Sequence, residues 1–169
     1  EIDLAIRYAR RLAPDYASTE LMRDTFRVVA SPKLVGDLRQ PLRPAEIATL
    51  PLIESEWPSN DRRAPTWQRW QAVARRRHKA VPALARLVSL CFREELHAIE
   101  AAISAQGVAI CSDVLVAPEL ASGALVQISR ITLPGYGFHV IHRACDGRLA
   151  EIKAFLAWAQ SVRSRPPPG

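Results

Sequence analysis

A short charged segment running from Phe92 to His97 (FREELH) carries the side chains best suited to bind a small anion. Arg93 could form a bidentate ion pair with a ligand carboxylate, because its guanidinium presents parallel N–H donors. Helical periodicity starts directly after it, and the first turn of a helix offers unpaired N–H groups and partial positive charge. In the alternative interpretation, Arg93 points to solvent while Glu94 and Glu95 only complement the helix dipole.

The histidines are too dispersed for a metal site or a catalytic group; they are His78, His97, His139 and His142. The last two lie three residues apart in a predicted strand, so their side chains point to opposite faces. The sequence has no HExxH, phosphate-loop, GxGxxG or GxSxG motif. We therefore expect no catalytic residue, no metal and no cofactor.

The cysteines do not form a disulfide framework. Cys91, Cys111 and Cys145 are odd in number, widely spaced and without a CxxC pair. Cys111 lies within an apolar run, which predicts a small buried hydrophobic side chain. This usage fits a reducing compartment, and we expect the protein to be cytoplasmic.

The formal net charge of +6 raises the question of an anionic partner. Apart from a run at 75–79 (RRRHK), the positive excess is scattered along the sequence. The run predicts a solvated helix end or loop. A phosphate-contacting patch is the alternative, although no interleaved aromatic residues or nucleic-acid motif accompany it.

The elements that must position the FREELH segment form a helix–strand unit between Leu96 and Ile128. An apolar stripe predicts an amphipathic helix, and Gly107 follows where a left-handed C-cap residue belongs. The run at 108–111 predicts a strand buried on both faces. A helical turn and a second strand follow. The stripe consists of Leu96, Ile99, Ala102 and Ile103.

Elsewhere, strands alternate with helices, which indicates an α/β fold with largely parallel sheets. Residues 82–92 fit a helix or a strand equally well. Dense loops between 31 and 65 favour two lobes, and no apolar run reaches membrane-spanning length. The predicted strands cover 2–8, 21–31, 52–53 and 138–142, and helices are predicted after Pro44, at 67–74 and at 152–159.

Several phrases, in order, resemble the effector-binding domain of LysR-type transcriptional regulators. They are IDLAIRY, RVVASPKLV, PLRPAEIATLPLI, the WQRW at 67–70, and the helix–strand unit with LVAPELASGALV at its end. The last phrase resembles the family pattern LV-x-x-x-L-x-x-G-L-V. The W-x-x-W phrase is similar to that of the subgroup containing the glycine-cleavage and β-lactamase regulators. The resemblance runs from Ile2 to about Val162.

This resemblance implies a two-lobed α/β fold like that of type 2 periplasmic binding proteins. Lobe I would comprise residues 1–26 and 143–169, and lobe II residues 27–142, with the two chain crossings as a hinge. The first strand–helix unit of lobe I and the helix-turn-helix DNA-binding domain are absent from these residues, so lobe I is expected to be incomplete. Ala9 stands where the family usually has Gly.

The resemblance also implies a function that is not enzymatic. A small carboxylate or amino-acid-like effector would bind between the lobes and modulate transcription by a DNA-bound regulator. Self-association through this domain is expected, with DNA contacted only through the missing helix-turn-helix domain and no membrane contact. The implied effector-binding residues are Arg7, Ser31, Arg93, Glu94, His97, Tyr136 and Phe138.

Two other functions remain open at this stage. Folds of this kind also host a few enzymes, such as cyclohexadienyl dehydratases, for which Glu94, Glu95 and His97 are the candidate acid/base groups. Alternatively, the chain is a truncated remnant that binds nothing.

Overall fold

The computed structural model describes residues 3–10, 12–78, 80–143 and 149–163. Along the chain, the strands are β1 (Leu4–Ala9), β2 (Tyr16–Ala30), β3 (Leu52–Ser55), β4 (Val88–Phe92), β5 (Val108–Ser112), β6 (Val126–Gln127) and β7 (Leu133–Arg143). The helices are α1 (Pro32–Val35), α2 (Pro44–Ile47), α3 (Trp67–Ala74), α4 (Glu95–Ile103), α5 (Ala117–Ser122) and α6 (Leu149–Arg163), with a 3₁₀ turn at Leu84–Leu87.

The chain forms two compact units. Unit 1 comprises residues 1–24 and 136–169, and unit 2 comprises residues 25–135. The boundaries fall inside β2 and β7, so both strands contribute residues to each unit. The assignment of lobes to 1–26 with 143–169, and to 27–142, stays a prediction.

In unit 1 the strand order is β1-β7-β2, and β1 pairs antiparallel with β7. In unit 2 the order is β2-β5-β3-β4, with the short β6 beside β2. Strand β2 runs antiparallel to β5 and β6, whereas β3 runs parallel to both β4 and β5. The prediction of largely parallel sheets is therefore wrong, because the strands of the described chain are mixed in direction.

Burial on both faces explains why β5 resembled a strand of a parallel sheet. All five of its residues are buried. Neighbouring residues of the central strands enter different cores, because side chains alternate between the two faces. One core lies on the α3 side of the sheet and contains Val28, Leu52 and Ile110. The other lies on the α4 side and contains the residues that follow them, Val29, Ile53 and Cys111.

The predicted elements are present, with shifted limits. Strand β2 starts at Tyr16 rather than Leu21, because the polar residues before Leu21 already alternate between exposed and partly buried positions. Ser31 ends that strand and caps α1, which the sequence did not predict. Residues 82–92, which fit a helix or a strand, contain both kinds of structure: a 3₁₀ turn at Leu84–Leu87 is followed directly by β4.

The buried face of α4 is rotated relative to the predicted stripe. Ala98, Ile99, Ala101 and Ala102 are buried there. Leu96, predicted to be in the core, is 59% exposed. Small alanine side chains let the helix approach the sheet closely, and at about 100° per residue this face leaves Leu96 outside.

Gly107 is not the left-handed residue at the end of α4. That conformation belongs to Ala105, with φ of 59°. Gly107 is instead required by a close approach, because a Cβ there would lie 2.8 Å from both the Ile53 side chain and the Pro51 carbonyl oxygen.

In unit 1, α6 buries Ile152 and half-buries Phe155, Leu156 and Ala159, as its periodicity predicts. None of the helices in the described ranges is both long and apolar enough to cross a membrane.

Candidate functional site

The carboxyl edge of the parallel strands in unit 2 gathers several polar groups. We use this name for Ser55, Phe92 and Ser112, which end β3, β4 and β5, together with the first turn of α4. Ser55 is paired in register with Phe92, and the Glu56 N–H donates to the Phe92 carbonyl at 2.8 Å. In α/β sheets, ligands bind outside the carboxyl ends of strands.

Ser55 is the polar residue that sequence reasoning missed at this edge. It is 8% exposed, and its hydroxyl has no hydrogen-bond partner among the described residues. Strand alternation puts Ser55 on the same face as Ile53, which packs against α4. A buried hydroxyl without a partner is costly, so a ligand that hydrogen-bonds to it gains free energy. The only sequence signal was a serine at the end of a short apolar run.

Glu95 fixes the start of α4 against β5. Its Oε1 accepts a hydrogen bond from the Ser112 backbone N–H at 2.6 Å. From the sequence, Glu95 was expected to complement the helix dipole or, in the enzyme alternative, to act as an acid/base group. Its position in the first turn permits the dipole interaction, but the bond to Ser112 gives it a structural role as well.

Three predicted effector-binding residues lie close together at the same edge. Arg93 and Glu94 are exposed between β4 and α4, and Glu94 is the N-cap residue of α4 without a side-chain capping bond. His97 is exposed one turn into the helix, with its ring 6.4 Å from the Phe92 ring. A shallow groove of about 330 Å³ starts at these two rings and follows α4.

Cys111 lies buried beneath this edge. Burial raises the pKa of its thiol well above the ordinary value, and the nearby carboxylates of Glu95 and Glu119 raise it further. The thiol therefore remains protonated and unreactive, and its predicted role as a small buried side chain is confirmed.

In unit 1, Tyr136 and Phe138 pack around an aromatic residue that sequence reasoning did not single out. The ring centroid of Tyr8 lies 5.4 Å from that of Tyr136 and 4.6 Å from that of Phe138. Its hydroxyl donates to Oδ2 of Asp24 at 2.8 Å, and Asp24 is only 2% exposed. Together these residues form a tyrosine–aspartate cluster.

Arg7 does not join this cluster. It is paired in register with His139, whereas Tyr8 is paired with Phe138. Successive residues point to opposite faces of a strand, so Arg7 faces away from the aromatic rings. It is exposed and lines a groove of about 350 Å³ that also contacts Tyr16.

Ser31, in unit 2, is the N-cap residue of α1. It is 2% exposed, and its Oγ accepts a hydrogen bond from the Lys33 N–H at 3.4 Å. The contact between Ser31 and an effector stays a prediction. Across the described ranges, no three or more His, Cys, Asp or Glu side chains are arranged to hold a metal ion.

The chain also matches the model of a known protein family. Residues 1–164 match the family model of the LysR substrate binding domain. The chain therefore belongs to this family, and it is the effector-binding domain of a LysR-type regulator. The predicted family and the predicted periplasmic-binding-protein-like α/β fold are confirmed.

Solved structures support the same fold. The chain is similar to the effector domain of the transcriptional regulator AmpR of Pseudomonas aeruginosa, at 23% identity and a TM-score of 0.68, over 95% of this chain and 72% of that one. The AmpR effector-binding domain from Citrobacter freundii matches at 21% and 0.68, over 95% and 76%. CrgA, a LysR-type regulator from Neisseria meningitidis, matches at 20% and 0.66, over 97% and 53%. No curated protein sequence matches the chain significantly.

Proposed function

We propose that this domain senses a small carboxylate or amino-acid-like effector and that binding modulates transcription by a DNA-bound regulator. The observation that carries the proposal is the carboxyl edge of unit 2. It combines the exposed guanidinium of Arg93, the start of the nine-residue α4 and the Ser55 hydroxyl, which has no partner in the described part of the chain. Each of these groups can bind a carboxylate.

The chemistry of the edge favours an amino acid or a related acid. Arg93 can hold a carboxylate through two parallel hydrogen bonds, and the first turn of α4 adds N–H donors and partial positive charge. Ser55 can donate to that carboxylate. Glu94 has no capping bond of its own, so its carboxylate can accept from an effector ammonium group. His97, one turn further on, extends the polar surface.

The remaining contacts enter the proposal through the resemblance to the family. Tyr136 and Phe138 would supply aromatic surface to the effector, and Ser31 would supply a polar group. Arg7, which faces away from the two rings, would contact only a part of the effector that reaches the other face of β1. We further propose that the domain works in the cytoplasm, self-associates, and belongs to a regulator that meets DNA through a helix-turn-helix domain.

The test is a thermal-shift and calorimetric screen of amino acids and small organic acids. A ligand at 100 times its Kd should stabilise the fold by about 2.7 kcal/mol. Arg93→Gln should weaken binding about 10- to 100-fold, because a charge-assisted hydrogen bond is lost. The matched control is Arg86→Gln, which removes another exposed arginine of unit 2 and should leave the affinity unchanged.

Ser55→Ala separates binding from folding. Since the hydroxyl has no partner among the residues that the structure describes, its removal should leave the free energy of unfolding unchanged or higher, while the effector affinity falls. A folded protein that no compound stabilises would contradict the proposal. So would an Arg93→Gln variant with undiminished affinity.

A further inference from the structure

The expectation that the positive excess outside 75–79 is scattered is wrong, because most of the net positive charge of the chain falls around α3. Between Asp61 and His78, six arginines stand against one aspartate, so this stretch has a formal net charge of +5, compared with +6 for the whole chain. In the sequence, these arginines occur as separate groups at 62–63, 69 and 75–77. Only the structure shows what the groups have in common.

Arginines lie at both ends of the exposed face of α3. The helix buries Trp67 and Trp70 and exposes Gln68 and Ala72. At its start, Arg62 lines a groove of about 470 Å³ together with Gln68 and Ala72.

At the other end, backbone hydrogen bonds continue the helical turn through Arg77. Arg76 and Arg77 lie in the turn that follows the end of α3 at Ala74, where their N–H groups donate to the carbonyls of Val73 and Ala74. We call Arg62, Arg63, Arg76 and Arg77 the arginine surface; all four are exposed.

The charge of this surface is not neutralised by the chain. Elsewhere, arginines form ion pairs, as Arg23 does with Glu20 and Arg43 does with Glu46. Within the part of the chain that the structure describes, no carboxylate forms an ion pair with any member of the arginine surface. Uncompensated arginines grouped around one helix attract a polyanion.

The residues around the arginine surface favour the backbone of a double helix over an acidic protein partner or a single-stranded nucleic acid. Protein partners are held mainly by buried aromatic and apolar anchors, and single strands by bases stacked on exposed aromatic rings. Trp67 and Trp70 are fully buried, Trp57 is half-buried in the groove beside Arg62, and the large exposed apolar residues of the described chain all lie outside 57–78. Phosphate contacts by arginine need neither kind of anchor.

We propose that the arginine surface binds the phosphate backbone of duplex DNA without reading its sequence. Helix α3, which separates the two groups of arginines, rises about 11 Å from Trp67 to Ala74. That rise equals about three base-pair steps of about 3.4 Å each. This goes beyond effector sensing, because it adds a DNA contact to the one expected of a helix-turn-helix domain.

The experiment uses fluorescence anisotropy of a labelled 20-base-pair duplex of arbitrary sequence, titrated with the 169-residue chain between 50 and 200 mM salt. We expect weak, sequence-independent binding whose affinity falls steeply with salt. The quadruple variant R62Q/R63Q/R76Q/R77Q should reduce the slope of log affinity against log salt by about 3 to 4. Its affinity at 50 mM salt should fall at least tenfold.

The matched control is R10Q/R39Q/R86Q/R130Q, which removes the same charge at exposed positions elsewhere. It should retain most of the affinity; an equal loss in both quadruple variants would attribute binding to net charge and overturn the proposal. The absence of binding at 50 mM salt by a chain that circular dichroism shows to be folded would overturn it as well.

Tighter binding of a labelled polyglutamate peptide or of single-stranded DNA would contradict the choice of partner. The effector screen is independent of this result, because no member of the arginine surface belongs to the carboxyl edge.

Discussion

The carboxylate of Glu95 accepts a hydrogen bond from the backbone N–H of Ser112, at 2.6 Å. This bond joins the first turn of α4 to the end of β5, two elements on which the candidate site depends. An ionised acceptor makes a stronger bond than a neutral one, and it satisfies an N–H at the end of a buried strand.

Glu95→Ala should therefore lower the free energy of unfolding by about 1.5–3 kcal/mol. Urea denaturation at neutral pH measures the change. Glu100→Ala removes an exposed glutamate of the same helix and should alter stability by less than about 0.5 kcal/mol. Equal losses for the two variants would contradict the importance of the Ser112 bond.

Two substitutions just after α4 should change the free energy of unfolding in opposite directions. Ala105→Gly should raise the free energy of unfolding by about 1 kcal/mol, because the left-handed conformation of Ala105 strains a residue with a Cβ. Gly107→Ala should lower it by about 1–3 kcal/mol, because the added Cβ would overlap the Ile53 side chain and the Pro51 carbonyl. Thermal and urea unfolding measure both. Stabilisation by Gly107→Ala would show that the close approach is absent.

Trp70 should be sensitive even to a conservative change. Its indole N–H donates to the Ile131 carbonyl at 3.1 Å, and the side chain is fully buried. Trp70→Phe leaves that carbonyl unpaired and a cavity behind, so we expect a loss of about 2–4 kcal/mol. Trp158 is 60% exposed, and Trp158→Phe should change stability by less than about 0.5 kcal/mol in the same assay.

Tyr8→Phe tests the tyrosine–aspartate cluster of unit 1. The substitution removes the hydroxyl that donates to the buried Asp24 carboxylate, and we expect a loss of about 1–3 kcal/mol in urea unfolding. Tyr16→Phe is the control, since Tyr16 is 47% exposed and should tolerate the loss of its hydroxyl. The idea fails if the two variants are equally stable.

The cysteines should differ in reactivity toward iodoacetamide. Partial burial, followed by the charges of Glu56 and Glu54, raises the pKa of the exposed Cys91 thiol, and burial raises that of Cys111 much further. Alkylation requires the thiolate, so at pH 8 Cys91 should react more slowly than free cysteine, and its rate should still climb above pH 9.

In the native protein, Cys111 should remain unlabelled until urea unfolds the chain. Mass spectrometry of a Cys145→Ser variant separates the two sites. Labelling of Cys111 as fast as Cys91 without urea would contradict its burial.

Much of the fold was predictable because its signals are local. Alternation of apolar residues predicted β1, a continuous apolar run predicted β5, and helical spacing predicted α3 with both tryptophans on one face. These patterns report which face of an element is buried, whatever packs against it. The residues around Arg93 were also predictable as a group, since a charged segment before a helix is visible in one stretch of sequence.

The errors arose where a residue's role depends on a distant part of the chain. Gly107 was assigned to a helix cap because glycine commonly serves there, yet its role is set by Ile53 of β3 and by Pro51 just before that strand. The prediction that the strands are largely parallel was wrong for a related reason. Double burial of β5 follows from the two cores around it, and the direction of its neighbours leaves no mark on its own residues.

The sequence by itself determined the family and most of the elements, because periodicity and ordered phrases are properties of consecutive residues. Only the tertiary structure decided that Glu95 bonds to Ser112, that the Ser55 hydroxyl is buried without a partner among the described residues, and that exposed arginines lie at both ends of α3. Each of these facts depends on which strands and loops become neighbours. That choice is made by packing the whole chain, since the free energy of burial is shared among residues far apart in sequence.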